Sequence, residues 1–417
     1  MPRVIALFFA LIIFFASKSA GDDESATLVK EFQRMEYLRK WENEQIDSFI
    51  TKLHESKLFN GTLLVARKGE IVYFNSMGVA NRETGETLTN EMPYQMASVS
   101  KPVTASAIML LVQRGEINLD DKITKYLPEL TQYYKVKVRH LLTHTSGIPD
   151  YIYRFQTAWD KDAYMSNDDL LAFYAKKKYR TMFNPGYRYE YSNTNYAFLA
   201  SIVERISEER FADFAEHEIF EPLGMCHTHV FNPERDSLGA TPILGYRWYG
   251  RRWLEYGTDW RNGIVGDKGV FATADDMMRF ARAFETDYLW CNETSCQIFK
   301  KTYTRGRGMS EYGYGWRMRE WDSMDVVLHY GFWNSFRTGV IQFPESDVTF
   351  VILNNFTGST NGRVNNRDYV IRELMKIMFP KEENLPVLAN LSDSPDEGTE
   401  SEEGGGQPLE EEGGSSD

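Results

Sequence analysis

The sequence predicts an α/β protein of the α+β kind, in which helices flank an antiparallel sheet and an all-helical lobe is inserted into the chain. Three observations lead to this fold class. Strand-like runs stand near both ends of the chain, the stretch between them is mainly helical, and the late strands follow one another with too little chain for crossover helices. A cleft between the sheet and the helical lobe is then the expected place for a site.

The early elements are one helix, two strands and a second helix. Helical periodicity covers residues 28–57, and the strand-like runs GTLLVARKG and EIVYFNS follow it directly. The apolar run YQMASVSKPVTASAIMLL, at residues 94–111, predicts a buried helix. From about residue 112 to 261 the segments DDLLAFYAKKK, NYAFLASIVERIS and RFADFAEHEIF predict a helical lobe.

Strand patterns return in the last third of the chain. A helix in TADDMMRFARAF precedes the runs YGYGWRM, DVVLHYG, FRTGVIQF and VTFVILNN, and NNRDYVIRELMKIM predicts a closing helix. These runs predict an antiparallel sheet whose edge the two early strands can join. The first and last helices can then cover one of its faces.

The N-terminus has the pattern of a secretory signal peptide. MPRVIALFFALIIFFASKSAG has an arginine near its start, an unbroken apolar run over residues 4–15, and small residues after that run. The run is short for a membrane span, although an uncleaved anchor stays an alternative. We expect a signal peptide over residues 1–20, cleavage near residues 19–21, no transmembrane segment in the mature chain, and a secreted or periplasmic protein.

The C-terminus is acidic and poor in apolar residues. Residues 381–417 carry twelve acidic side chains and one lysine among many glycines and serines. So little apolar surface cannot offset the entropy lost on ordering, which predicts a disordered tail. Its charge of −11, out of −13 for the whole chain, leaves the rest near −2. Because the basic residues form no run, we expect no nucleic-acid partner, and the pattern indicates no particular partner for the tail.

Ser98 and Lys101 stand three positions apart within the apolar run of residues 94–111. On a helix this spacing places both side chains on one face. A lysine among apolar residues is costly unless it has a partner or a task. For a lone S-x-x-K pattern, the simpler interpretation makes Ser98 a helix N-cap and Lys101 a long side chain whose ammonium group reaches solvent.

Two further motifs follow along the chain. Tyr191 and Asn193 stand two apart, just before a helical segment, in YEYSNTNYAFL. His329 and Gly331 stand at the end of a strand-like run, in VVLHYGF. Taken singly, the first pair would form a turn and an N-cap, and His329 would be a half-buried histidine with structural contacts.

Taken together and in this order, the three motifs resemble the S-x-x-K, Y-x-N and H/K-x-G motifs of the serine β-lactamase and penicillin-binding-protein superfamily. The resemblance is greatest to the branch of class C β-lactamases, D-alanyl-D-alanine carboxypeptidases, esterases and aminopeptidases. It extends over residues 40–378, where RHLLTHTSGIPD and GDKGVFATADDMMRFA are also similar to segments of that family. It implies a β-lactamase/transpeptidase-like fold and one serine hydrolase domain over residues 26–380, with the helical lobe at about 112–261.

The resemblance implies that three residues carry the chemistry of acyl transfer. Ser98 would be the nucleophile, and it needs an adjacent base because an unassisted hydroxyl attacks poorly. Lys101 can serve if burial or nearby positive charge lowers its pKa. Tyr191 would share that proton or pass it to the leaving group. The site calls for no metal and no organic cofactor.

Four further residues are implied to bind the substrate. Asn193 would orient a substrate amide and the lysine ammonium. The backbone N–H groups of Ser98 and Phe332 would bind the oxyanion of the tetrahedral intermediate. Gly331 would let the substrate approach the strand edge closely, and His329 completes this set as the first residue of the third motif.

The third motif departs from the lysine that many β-lactamases carry there. A lysine has a fixed charge for a substrate carboxylate, whereas His329 can be neutral near neutral pH. Arg337, on the next strand, is an alternative source of charge or simply a surface residue. The aromatic side chains of this region suggest a partly apolar cleft rim or a core, and they are Tyr330, Phe332, Trp333 and Phe336.

Two histidine pairs raise the question of a metal site. His140 and His144 are four apart on a stretch that we predict to be helical, and His227 and His229 are two apart. The stretch HLLTH lacks the glutamate of the H-E-x-x-H motif. We therefore expect these histidines to have structural roles.

The function that these observations predict is a secreted serine hydrolase of the peptidase or esterase type, which cleaves an ester or amide in a small-molecule or peptide substrate. Carboxypeptidase, esterase, aminopeptidase and β-lactamase activities all stay open, because the fold alone cannot choose among them. The alternative is a binding or regulatory protein that keeps the fold without catalysis. The complete set of motifs favours the enzyme, since a retired site has no physical need for a buried lysine beside a serine.

Overall fold

The computed structural model describes residues 22–154, 163–233, 243–249, 252–257, 259–357 and 367–381. The predicted signal peptide lies outside the described residues, and so does the predicted acidic tail apart from its first residue. The described residues fall into two units, one made of 22–41 with 380–381 and the other of 42–379. In the first unit the chain is helical over residues 22–41 and mostly exposed over residues 31–41.

The helices agree in position with most of the sequence patterns. They are α1 (Asp22–Glu55), α2 (Ser100–Gln113), α3 (Val138–Leu142), α4 (Tyr151–Arg154), α5 (Asn167–Lys177), α6 (Asn193–Ser207), α7 (Phe211–Ala215), α8 (Ala274–Arg282), α9 (Asn292–Ile298) and α10 (Arg367–Met378). A 3₁₀ turn, Ala97–Val99, leads into α2, and a π turn, Glu216–Phe220, continues α7. None of the helices in the described ranges combines the length and apolar character that crossing a membrane requires.

The strands form one large sheet and several small ones. They are β1 (Gly61–Arg67), β2 (Glu70–Met77), β3 (Tyr94–Gln95), β4 (His229–Val230), β5 (Tyr246–Tyr249), β6 (Arg252–Glu255), β7 (Val270–Ala272), β8 (Thr302–Thr304), β9 (Gly308–Ser310), β10 (Arg317–Trp321), β11 (Met324–Trp333), β12 (Phe336–Phe343), β13 (Val348–Asn354) and β14 (Phe356–Thr357). The large sheet has the order β10-β11-β12-β13-β1-β2.

The large sheet confirms the predicted fold class. All of its neighbouring strands are antiparallel, and β1 pairs with β13, so the two early strands extend the late ones as predicted. Pairing of β1 with β13 brings residues from opposite ends of the chain together, as in the register of Leu63 with Ile352. This sheet is the scaffold against which the Ser98 segment packs.

Both faces of the central strands are buried, which explains their nearly continuous apolar sequence. In β1, Leu63 belongs to the core under α1 and α10, whereas Leu64 belongs to the core shared with α2 and the helical segment. Alternation along a strand sends successive side chains to opposite faces. Fully burying one such leucine stabilises the fold by about 1.5–3 kcal/mol.

The segment of residues 112–261 contains more than helices. It holds α3 to α7, as the periodicity predicts, but also the short strands β4, β5 and β6. Strand β4 pairs with β7, and β5 pairs with β14, which lies about a hundred residues further along the chain. These partners are remote in sequence, whereas β6 pairs with its neighbour β5 inside the segment. The helical periodicity of the segment does not indicate any of these three strands.

Candidate active site

Ser98 lies at a sharp turn between the small strand β3 and helix α2. It is partly exposed, while its neighbours Ala97 and Val99 are completely buried. Ala97 has a φ angle of 51°, in the left-handed region that residues other than glycine rarely adopt. Val99 is the N-cap of α2. Ser98 therefore does not cap the helix, and its hydroxyl is open to the cleft.

Lys101 is completely buried, on the first turn of α2. Its Nζ atom donates to Ser98 Oγ at 3.1 Å, to Asn193 Oδ1 at 2.8 Å and to the backbone oxygen of Asp267 at 2.7 Å. An ammonium group has three N–H donors, so this set satisfies all of them. The interpretation of Lys101 as a solvent-reaching surface side chain does not fit this geometry.

The surroundings of Lys101 bring its pKa close to neutral pH. Burial lowers the pKa of Lys101 to about 8, although the carboxylates of Asp267 and Asp150 act in the opposite direction. Arg317 adds to the lowering. A buried amine with such a pKa can give up and regain a proton near neutral pH.

Tyr191 and Asn193 stand beside this lysine, just before and at the start of α6. The Lys101 Nζ atom lies 4.9 Å from the centre of the Tyr191 ring. Burial raises the pKa of Tyr191, whereas a hydrogen bond with Ser98 and the charge of Arg317 lower it. The N-cap of α6 is Ser192, so Asn193 has no capping role. The structure thus brings Ser98 and Lys101 together with both residues of the second motif.

Asp150 holds Asn193 in place, and sequence reasoning missed it. Its Oδ2 atom accepts hydrogen bonds from the backbone N–H of Asn193 at 3.0 Å and from Asn193 Nδ2 at 2.8 Å. Because the Asn193 amide nitrogen faces Asp150, its oxygen faces Lys101. Burial raises the pKa of the Asp150 carboxyl, against the hydrogen bonds from Asn193. The only available signal was an acidic residue at the end of RHLLTHTSGIPD.

His329 is buried, and both of its ring nitrogens have partners. Its Nδ1 atom lies 2.9 Å from the Tyr330 oxygen, and its Nε2 atom lies 3.1 Å from the Tyr312 hydroxyl. A carbonyl can only accept, so Nδ1 carries the proton and Nε2 accepts from Tyr312. Burial holds the pKa of His329 well below its ordinary value. The histidine is therefore neutral and does not provide the charge of a third-motif lysine.

Close packing within the chain requires a glycine at position 331. A Cβ atom there would lie 2.2 Å from Thr338 Oγ1 and 2.3 Å from the Met96 oxygen. The turn that carries Ser98 therefore packs directly against strand β11. In the structure, the close approach that Gly331 permits is that of the Met96 backbone, and the approach of a substrate to this strand edge stays a prediction.

The residues after Gly331 divide between the two faces of the sheet. Trp333 shares the face of Gly331, and its Nε1 atom donates to Asn262 Oδ1 at 3.0 Å. Phe332 points to the opposite face and is 59% exposed. Arg337 pairs with Phe332 across the strands, with its guanidinium carbon 4.9 Å from that ring. The side chains of Phe332 and Arg337 therefore lie on the face of the sheet opposite to Gly331, away from Ser98.

His144 packs against the ring of Tyr191. Its ring centre lies 4.3 Å from that of Tyr191, and its Nδ1 atom accepts from the backbone N–H of Ser192 at 3.2 Å. Burial holds the pKa of His144 well below its ordinary value, so the ring is neutral. His140 Nδ1 accepts from the backbone N–H of Lys137 at 3.1 Å. Across the described residues, no group of three His, Cys, Asp or Glu side chains is placed to hold a metal ion.

A serine, a buried lysine and a tyrosine at the contact between an antiparallel sheet and a helical segment define the class of serine hydrolases with the β-lactamase fold. The family model described as Beta-lactamase matches residues 46–374. The chain belongs to this family, as its three motifs predicted.

Relatives in the family carry more than one kind of name. Penicillin-binding protein 4* of Bacillus subtilis is 31% identical over 76% of this chain and 73% of its own length. Esterase EstB of Burkholderia gladioli is 28% identical over 64% of this chain and 76% of its own. The crystal structure of a penicillin-binding protein from Bacillus halodurans superimposes with a TM-score of 0.67 at 24% identity, over 79% of this chain and 98% of that one.

Proposed function

We propose that the protein is a secreted serine hydrolase that cleaves an ester or amide bond through an acyl-enzyme on Ser98, with Lys101 and Tyr191 as proton-transfer groups. The observation that carries this proposal is the position of Lys101. Its Nζ atom is buried, lies 3.1 Å from Ser98 Oγ and has two other fixed acceptors. When the ammonium loses one proton, Asn193 Oδ1 and the Asp267 oxygen hold the remaining N–H groups, and the lone pair faces Ser98.

Acylation follows from this geometry. Ser98 Oγ attacks the carbonyl carbon of the substrate, and its proton moves to neutral Lys101. The tetrahedral intermediate then collapses, the bond to the leaving oxygen or nitrogen breaks, and the leaving group takes a proton from Lys101 by way of the Tyr191 hydroxyl. The hydrogen bond between Tyr191 and Ser98 places that hydroxyl beside the reacting atoms.

The oxyanion would be bound by the backbone N–H groups of Ser98 and Phe332. The contact of Gly331 with Met96 supports this assignment, because it brings the turn of Ser98 and the end of β11 together. Fixed backbone donors that point at a developing negative charge typically contribute a factor of about 10²–10³ in rate. In deacylation, water attacks the acyl carbon, and one of its protons passes by way of the Tyr191 hydroxyl to neutral Lys101. The bond between the acyl carbon and Ser98 Oγ then breaks, Oγ takes that proton back from Lys101, and the carboxylic acid product leaves.

The edge of β11 favours an extended acyl donor. Strand β10 pairs with β11 only over Met324 to Leu328, so the stretch of residues 329–333 has β12 on one side and no strand partner on the other among the described residues. A peptide can add to such an edge by main-chain hydrogen bonds. The names of the relatives, a penicillin-binding protein and an esterase, support peptide and ester substrates as the two classes to test first.

The test of this proposal is covalent labelling of the full secreted chain. Purified protein is incubated with a fluorescent penicillin and, separately, with a fluorophosphonate, and the adduct is located by intact mass and peptide mapping. Ser98→Ala is the principal control, and Ser192→Ala, which removes a buried hydroxyl next to Tyr191, is the matched serine control. We expect labelling on Ser98 in the wild type and in Ser192→Ala, and none in Ser98→Ala.

Each outcome has a definite meaning. Labelling by penicillin favours cell-wall peptides as substrates, and labelling by fluorophosphonate alone favours an esterase or aminopeptidase. Well-folded protein that neither probe modifies contradicts the catalytic proposal and favours the non-catalytic binding protein. Secretion is tested separately by sequencing the N-terminus of protein collected from the medium or periplasm, where we expect a start near residues 20–22.

A further inference from the structure

Arg317 is a half-buried cation beside the Tyr191 ring. It begins strand β10 and pairs with Leu328, the residue before His329. Its guanidinium carbon lies 5.7 Å from the centre of the Tyr191 ring and 5.4 Å from that of Tyr312. Neither the three motifs nor the roles proposed above use this arginine.

The third motif of this chain provides no fixed positive charge. His329 is neutral, because its Nδ1 proton goes to the Tyr330 oxygen and its Nε2 atom accepts from Tyr312. Two carboxylates, Asp150 and Asp267, act on Lys101 and favour its charged form. Burial is the largest influence that opposes them, and a nearby positive charge adds to it, which favours the neutral amine that can accept the Ser98 proton.

We propose that Arg317 is a positioning residue that supplies the fixed positive charge of this site, in place of the neutral His329, and so favours the neutral form of Lys101. The proposal rests on the proposed function, since it assigns the charge that this proton-transfer pair requires. It gives Arg317 no contact with the substrate.

Several other charged and titratable groups face the pair. They are Asp150, Asp267, Lys268, His144, His329, Tyr189, Tyr196 and Tyr312. The carboxylates act in the opposite direction, and burial keeps both histidines neutral. Lys268 also disfavours a charge on Lys101, but it is paired with Asp267 at 3.5 Å and donates to the Tyr151 hydroxyl at 2.6 Å. Arg317 acts on Lys101 and on Tyr191 in the same sense, by lowering the pKa of each.

The experiment compares variants that remove or keep the positive charge of residue 317. Arg317→Met removes it, Arg317→Gln removes it but keeps hydrogen-bonding capacity, and Arg317→Lys keeps it. Arg319→Gln is the matched control, because it removes a positive charge two residues further along the same strand, where the guanidinium pairs with Glu311 at 3.1 Å. Circular dichroism selects the variants that are folded, and Arg317→Gln serves if Arg317→Met is not.

The first readout needs no turnover. The Lys101 pKa is followed by NMR titration in protein with isotope-labelled lysine, with Lys101→Met to assign the signal. We expect loss of the Arg317 charge to raise this pKa by about one unit. We expect Arg317→Lys to restore most of the shift, and Arg319→Gln to leave the pKa unchanged.

The second readout is the pH profile of kcat/KM with an uncharged ester, which has no carboxylate for an arginine to bind. Since the rate below the pKa falls tenfold for each unit, Arg317→Met should be about tenfold slower at pH 7 and approach the wild-type rate at high pH. An unchanged Lys101 pKa, or a rate loss that is equal at every pH, overturns the proposal. A raised Lys101 pKa in protein that hydrolyses nothing leaves the role of Arg317 standing and overturns the proposed function alone.

Discussion

The carboxylate of Asp150 accepts two hydrogen bonds from Asn193, one from the backbone N–H at 3.0 Å and one from Nδ2 at 2.8 Å. This pairing fixes which end of the amide faces Lys101. An asparagine oxygen and nitrogen have nearly the same shape, so only the hydrogen-bond network decides their orientation. Asp150 therefore determines the geometry of the lysine although it does not contact Ser98.

Asp150→Ala should weaken catalysis more than folding. Without the carboxylate, Asn193 can turn, and Lys101 loses a fixed acceptor, so we expect kcat/KM for an ester to fall about 100-fold. Two unpaired N–H groups should lower the free energy of unfolding by about 1–3 kcal/mol. Asp168→Asn, at a side chain that is 83% exposed, is the control. Wild-type kinetics in folded Asp150→Ala would show that Asn193 needs no such support.

The pH dependence of acylation should report Lys101. Burial lowers the pKa of this lysine to about 8, so the neutral amine that accepts the Ser98 proton becomes more abundant as the pH rises through that value. We therefore expect the rate of acyl-enzyme formation with an uncharged ester to increase between about pH 6.5 and 9 and then to level off. Stopped-flow measurement of the acylation burst tests this, and a rate that falls over the same range would exclude a lysine base.

The part of this site that the sequence could predict is the local part. Ser98 and Lys101 come together because the 3₁₀ turn that carries Ser98 continues directly into the first turn of α2, and helical spacing alone indicates this. The strands β12 and β13 were recognisable from their long apolar runs, since both faces are covered. In each case the signal lies within one element.

The rest depends on contacts between elements that are far apart in the chain. Asp150 reaches Asn193 over 43 positions, and Arg317 meets Tyr191 only when β10 packs beside the loop before α6. The protonation state of His329 is set by Tyr312, which no motif includes. The direction of the Phe332 side chain depends on strand alternation counted from Gly331 and the contact of that glycine with Met96. No spacing rule could supply these relations.

The contact of Gly331 with Met96 leads to a prediction about glycine. In Gly331→Ala the added Cβ would stand 2.3 Å from the Met96 oxygen and 2.2 Å from Thr338 Oγ1, so the turn that carries Ser98 must move. We expect labelling of Ser98 by an acylating probe to become at least tenfold slower, since small displacements of a nucleophile are costly. Gly339→Ala on the neighbouring strand is the control. The nearest atoms to its added Cβ would be side-chain carbons, Ile341 Cδ1 and Tyr330 Cδ1, both at 3.2 Å. Equal labelling rates in both variants would contradict this role for Gly331.

The last prediction concerns the buried ion pair behind Lys101. Lys268 Nζ lies 3.5 Å from Asp267 Oδ1 and donates to the Tyr151 hydroxyl at 2.6 Å, and both charged side chains are almost completely buried. Lys268→Met would leave the Asp267 carboxylate buried without its cationic partner, beside the neutral Tyr151 hydroxyl, which donates to Oδ2 at 3.0 Å. Removing one partner of a buried pair typically destabilises a protein by about 3–5 kcal/mol.

We expect that loss in the free energy of unfolding of Lys268→Met, measured by urea denaturation. Lys125→Met is the control, because Lys125 pairs with Asp121 at 2.7 Å but is 59% exposed. An exposed pair of this kind contributes little to stability because solvent screens it. Since the backbone oxygen of Asp267 accepts from Lys101, a shift of this residue should also slow acylation. If Lys268→Met were as stable as Lys125→Met, the ion pair could not be what holds the Asp267 oxygen against the lysine of the site.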